Sequence, residues 1–237
     1  MIVLIRKDQS PMDLDSSSDQ SQCRLLSLPA ELRTQIWQLI LVQCTQKTIH
    51  ARLTNPAQED SRTRARFCAN ILRTCKQVNA EGTPILYGEN VFSAHTTLLA
   101  SLPTFLLVSK PQRLPLSRPV TSPRVMKLIR RYHIFVRLDT DPRFSKRQVE
   151  ESFDGVGELR VDVFQAMAYS CDFSVLKLFE GVRGVEKVVI QGSLGDRKYA
   201  DWLEAAMQLP AGTSVTPYWE KFVGGTPAWD AWTNGNR

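Results

Sequence analysis

The chain has 237 residues, 43% of them hydrophobic and 23% charged, with a formal net charge of +6. These proportions exclude a wholly disordered chain and suffice for one sizeable core or two small coupled units. No apolar run approaches the roughly 18 residues that a membrane-spanning helix needs, and the N-terminal MIVLI meets Arg6 and Lys7 too soon for a signal peptide. The five cysteines, Cys23, Cys44, Cys68, Cys75 and Cys171, are odd in number and form no CxxC pair. A zinc cluster is therefore not expected, and reduced thiols suit a cytoplasmic or nuclear protein.

Residues 8–22, DQSPMDLDSSSDQSQ, are polar and low in complexity, so residues 1–22 read as a disordered leader. A helix is predicted from Pro29, with Glu31 in its first turn, where the helix dipole favours a carboxylate. Leu32, Ile36, Leu39 and Ile40 share one face at helical spacing, and Trp37 and Leu41 widen it. A stripe this wide implies contact on two sides. Residues 45–65 are polar and read as a loop. A second helix is expected over RFCANILRTCKQVNAEG, with Phe67, Ile71, Cys75, Val78 and Gly82 on one face. Thr83 would then cap a short third helix that starts at Pro84. NVFSA is a candidate strand.

LPAELRTQIWQLIL followed by LRTCKQVNAEGTPILYGENVF resembles the F-box-like domains abundant in filamentous fungi. The match covers about residues 24–95 of an expected helical unit at 23–95, and its second motif is the more specific. In that family the Leu-Pro helix docks on the adaptor subunit of a cullin-RING ubiquitin ligase, and a downstream domain selects the substrate. Carried over by motif position, the resemblance implies an adaptor-binding role for Leu28, Pro29, Leu32, Ile36 and Ile40.

HTTLLASLPTFLLVSK predicts a helical stretch interrupted by Pro103. Pro111, Pro115, Pro119 and Pro123 then recur every fourth residue among Lys and Arg, so residues 96–125 read as a helix and an exposed proline-rich basic loop. From Lys110 to Arg147 eleven Lys or Arg stand against two Asp, a local excess of nine. Such an excess can attract phosphate-rich partners. No aromatic lies between Lys110 and Arg131 to stack on bases, so little nucleic-acid affinity is expected from it.

Over residues 126–210 the period changes to two. Tyr132, Ile134, Val136 and Leu138 alternate with His133, Phe135 and Arg137, and the same alternation returns around Leu159–Val163 and Val188–Ile190. The spacing is 27 residues, and each connection contains Phe-Ser and then a helical stretch ending in Phe-acid-Gly-Val. Ser145 and Gln148 form a capping-box pair, and Gly155 and Gly181 stand where left-handed residues end helices. Tyr199, Leu203 and Ala206 line one face of a final helix. The expected fold is α+β: an F-box-like helical unit on a small leucine-rich-repeat-like unit of about three parallel strands. Residues 211–237 form a tail with Trp219, Trp229 and Trp232, expected to return in part to the body.

No catalytic motif is present. His50, His95 and His133 lie in no metal-ligand spacing, QGSLG lacks the nucleophile-elbow pattern, and the glycines of GVG precede a strand rather than follow one. The expected function is non-enzymatic and cofactor-free protein recognition, in the manner of a ubiquitin-ligase substrate receptor. A scaffold without a ligase role and a nucleic-acid binder are the alternatives. The partner-binding surface is expected on the sheet face opposite the helices. There His133, Arg160 and Lys187 would form one row, Phe135, Asp162 and Val189 the next, and Arg137, Phe164 and Gln191 the third, with Arg137, Arg160, Asp162, Phe164 and Lys187 as the contact residues.

Overall fold

The computed structural model describes residues 23–43, 68–106, 118–165, 173–194 and 197–218. The expected leader, the 45–65 loop, Phe67, most of the proline-rich loop and the three tail tryptophans lie outside them. Two small apolar cores are present, one helical and one built on a sheet.

The helical core begins with helix α1 (Ala30–Leu41), for which Pro29 is the N-cap residue rather than the first turn. A 3-10 turn (Ala69–Arg73) and helix α2 (Lys76–Glu89) follow. The single long helix expected here is broken at Thr74 and Cys75. The Cys75 thiol accepts from the Val78 N–H at 3.4 Å, so the residue expected in mid-helix is a cap. Nor does a third helix start at Pro84, which sits inside α2. Its ring costs one helix bond, and packing holds the helix through it: Val78, Gly82 and Leu86 are buried at i, i+4 and i+8 against Trp37, Leu41 and Leu72. A Cβ at Gly82 would lie 2.5 Å from Leu72 Cδ2 and 2.9 Å from Leu41 Cδ1, so the small residue sets the close approach of α1 to α2.

A five-stranded mixed sheet carries the larger core. Its strands are β1 (Phe92–His95), β2 (Leu99–Phe105), β3 (Arg131–Arg137), β4 (Glu158–Phe164) and β5 (Lys187–Gly192), in the order β2-β1-β3-β4-β5. Only β1 and β2 are antiparallel; the other pairs are parallel. The helical reading of HTTLLASLPTFLLVSK is therefore wrong for its described part. Residues Leu99–Phe105 have helix-like apolar spacing, but pairing with β1 overrides it. His95 Nδ1 accepts from the N–H groups of Thr97 and Leu98, each at 3.1 Å, and closes the turn between the strands. Pro103 fits because β2 is an edge strand. Its carbonyl accepts from Val120 N–H at 2.8 Å on the side away from β1, so the missing donor costs no ladder bond.

Four further helices complete the described chain: α3 (Pro123–Met126), α4 (Lys146–Phe153), α5 (Ser174–Lys177) and α6 (Lys198–Met207). Both bonds of the Ser145–Gln148 capping box start α4. The inward row Tyr132, Ile134, Val136, Leu159, Val161, Val163, Val188 and Ile190 is buried with Val149, Phe153, Leu176, Leu203 and Met207 from the helices and Phe179 from the turn after α5, as the alternation predicts. Tyr199, Leu203 and Ala206 are likewise buried, and Tyr218 packs on Tyr199 and Trp202. Tyr87 stacks on Phe92 at 5.5 Å and joins the two cores.

Two expectations about this half need correction. Residues of β3 and β4 pair 27 apart, but β4 and β5 pair 29 apart, since Leu159 faces Val188 and Arg160 faces Val189. A slip of two residues keeps every side chain on its expected face and moves Lys187 beside Glu158 instead of Arg160. Gly155 is left-handed at φ 69, whereas Gly181 is not among the positive-φ residues. A Cβ on Gly181 would run into the Glu150 carboxylate of α4, so its smallness serves packing.

Candidate functional site

Helix α1 packs one side on α2 and leaves the other to solvent. Inward, Trp37 and Leu41 are fully buried. The Arg33 guanidinium holds Glu81 of α2 through Nε and Nη2 at 2.8–3.2 Å, and Trp37 Nε1–H donates to the same carboxylate at 3.0 Å. Gln77 adds a bond of 3.0 Å. Arg33 also donates to the carbonyls of Leu26 and Leu28, which straps the preceding turn to the helix. The arginine's hydrogen bonds, helped by those of Gln77 and Trp37, hold the Glu81 carboxyl at about 2 against an ordinary 4.5. The two halves of the motif thus meet in a single network.

Outward, α1 sets two exposed leucines among the exposed polar residues Glu31, Thr34, Gln35 and Gln38. Leu39 is 79% exposed and Leu32 46% exposed, Pro29 is exposed, and Leu28, Ile36 and Ile40 are partly covered. Leu32, Ile36 and Leu39 fall at i, i+4 and i+7; of the five residues assigned to adaptor binding, Ile36 and Ile40 also pack against the helical core.

The second surface is the sheet face away from the helices. Parallel registry sets His133 beside Arg160, Phe135 beside Asp162 and Arg137 beside Phe164. Asp162 binds His133 Nε2 at 2.7 Å and accepts from Gln191 Nε2 at 2.7 Å. Burial works to raise the Asp162 carboxyl, but the bond and charge of His133, the Gln191 bond and the Arg160 charge outweigh it, and the net direction is down. Glu158, which the sequence reading passed over, is buried on this face. It accepts from Arg160 Nε at 2.6 Å and has Lys187 Nζ at 3.6 Å and Arg131 Nε at 3.9 Å. Its signal was the position two residues before Arg160 on the same side of the strand. Of the five residues assigned to partner binding, Arg160 and Asp162 are therefore largely committed to neighbours. Arg137, Phe164 and Lys187 are exposed, and Phe135 joins them at 54% exposed.

A His–Asp pair can act as a general base when the second ring nitrogen faces a substrate. Here Nδ1 of His133 is buried without a hydrogen bond, and the Phe135 ring stands edge-on to the imidazole at 4.5 Å. The pair ties β3 to β4. Among the described residues no three His, Cys, Asp or Glu side chains gather in a metal-binding arrangement, and no helix is long and apolar enough to cross a membrane. Cys23, Cys68 and Cys75 are free thiols.

No family model, no curated protein and no solved structure matches this chain.

Proposed function

We propose that this protein is a two-sided, non-enzymatic recognition module. In this reading the outer side of α1 docks on a protein partner and the open sheet face selects a second one. The observation that carries it is the exposure of Leu32 and Leu39 on a helix whose other side is locked to α2 by Trp37, Leu41 and the Arg33–Glu81 pair. A pair of exposed leucines on a rigid helix is a docking element once covered and an aggregation liability when bare. The resemblance of LPAELRTQIW and TCKQVNAEG to F-box-like domains makes the first partner the adaptor of a cullin-RING ubiquitin ligase, and the module a substrate receptor.

The test is binding of the purified full chain to purified adaptor. Replacing Leu28 and Pro29 with Ala should weaken that binding at least tenfold and leave the circular-dichroism melt nearly unchanged, because the Leu28 contact that Arg33 needs is a main-chain carbonyl. Absence of adaptor binding in the unaltered chain would end the ligase reading and leave an interaction scaffold.

A further inference from the structure

The open sheet face carries its charges at two depths. The carboxylates lie low. Glu158 sits beneath Arg160, Arg131 and Lys187, Asp139 is almost wholly covered where Arg137 binds it at 3.0 Å, and Asp162 is gripped by His133 and Gln191. The cations form the upper layer: Arg137, bonded twice to Asp139, and Lys187 keep more than half of their side chains exposed, and Arg131, whose Nη1 also donates to the Glu89 carbonyl at 2.9 Å, nearly half. Beside Arg137 stand Phe135 and Phe164 on adjacent strands, on the same face two residues out of register and 54% and 53% exposed. Contact with His133 fixes the Phe135 ring.

Resting on the reading of this face as a recognition surface, we propose that its ligand is an acidic peptide segment carrying an aromatic or aliphatic side chain. The apolar group covers Phe135 and Phe164. The carboxylates reach Arg137 at one end of the strands and Arg131 and Lys187 at the other. Arg131 and Arg137 are separated by about 20 Å of strand, the reach of about six extended residues. Charge balance favours a peptide over a nucleic-acid strand. Arg131, Arg137, Arg160 and Lys187 face Glu158, Asp162 and Asp139, an excess of only one cation. Phosphate-backbone binding draws on several uncompensated cations. Discrete carboxylates need only the exposed cation tips.

The test uses the full chain and fluorescence anisotropy with four labelled probes: a ten-residue peptide of Glu and Phe with Gly spacers, its counterparts with Lys for each Glu or Ala for each Phe, and a ten-nucleotide oligothymidine. The acidic aromatic peptide should bind at least tenfold more tightly than any other probe. Phe135→Ala with Phe164→Ala should weaken it at least tenfold, and Arg137→Glu with Lys187→Glu should turn the preference toward the Lys peptide. Tighter binding of the oligothymidine, equal binding of the peptides, or no binding would overturn the proposal. No adaptor is present in this assay, so a failed adaptor interaction and a wrong ligand class give separate results.

Discussion

Gly192 occupies a backbone conformation closed to other residues. Its φ is +112, and a Cβ there would lie 2.0 Å from the Val163 carbonyl oxygen, a main-chain atom that cannot swing aside. Gly192→Ala should therefore lower stability by at least about 2 kcal/mol in urea unfolding, although the side chain added is the smallest available. Glu81 gives a second prediction at this scale, one with a sign. Its folded carboxyl is held at about 2, below the ordinary 4.5. Its contribution is therefore complete above about pH 4.5 and is lost as the pH falls toward 2. The drop in melting temperature between pH 6 and pH 3 should be steeper in the unaltered protein than in Glu81→Gln. Equal drops would show that the Arg33–Glu81 pair adds nothing pH-dependent. Neither residue stood out in the sequence. Gly192 lies in QGSLG, where the serine draws the eye, and Glu81 acquires its role only when α1 and α2 are brought together from 48 residues apart.

Asn90 joins the ends of two helices and the chain just beyond α1. Its side-chain amide donates to the Leu41 carbonyl at 2.7 Å and the Leu86 carbonyl at 2.8 Å, and its oxygen accepts from Gln43 N–H at 2.8 Å. It thus satisfies orphan carbonyls at the ends of α1 and α2 at the point where the chain turns into β1. Asn90→Ala would leave these buried groups unpaired and should cost about 2–4 kcal/mol, measured by chemical unfolding. Leu32→Ser with Leu39→Ser should cost less than about 1 kcal/mol in total, because these side chains already meet water. A larger loss would mean that these leucines pack inside the protein. The elements differ in how legible they were. Strands β3, β4 and β5 were readable because alternation with one buried face is a local signal. The Leu99–Phe105 strand was misread because its pairing partner, the turn at His95 and the bond from Val120 are all tertiary facts. The break at Cys75 was hidden because a thiol is a weak acceptor seldom counted as a cap.

At the scale of the whole molecule, the two cores meet through Tyr87, Phe92 and Phe105, and the candidate surfaces lie on different elements: the outer side of α1 and the outer side of β3, β4 and β5. The period-two alternation of the sequence put the sheet residues on their observed faces, while the α1 residues were assigned from motif position. Neither revealed which side chains are free. Arg160 and Asp162 looked available and are tied to Glu158 and His133, whereas Phe135 lies exposed beside them. A protein with two independent docking surfaces should lose its partners one surface at a time. The most direct test compares quantitative interaction proteomics of the full chain with two variants, Leu32→Ser with Leu39→Ser and Phe135→Ala with Phe164→Ala. The first should lose the adaptor and keep the remaining partners; the second should keep the adaptor and lose those partners, with both melts near that of the unaltered protein. Loss of the same partners from both variants, or no change in either, would contradict the two-surface account.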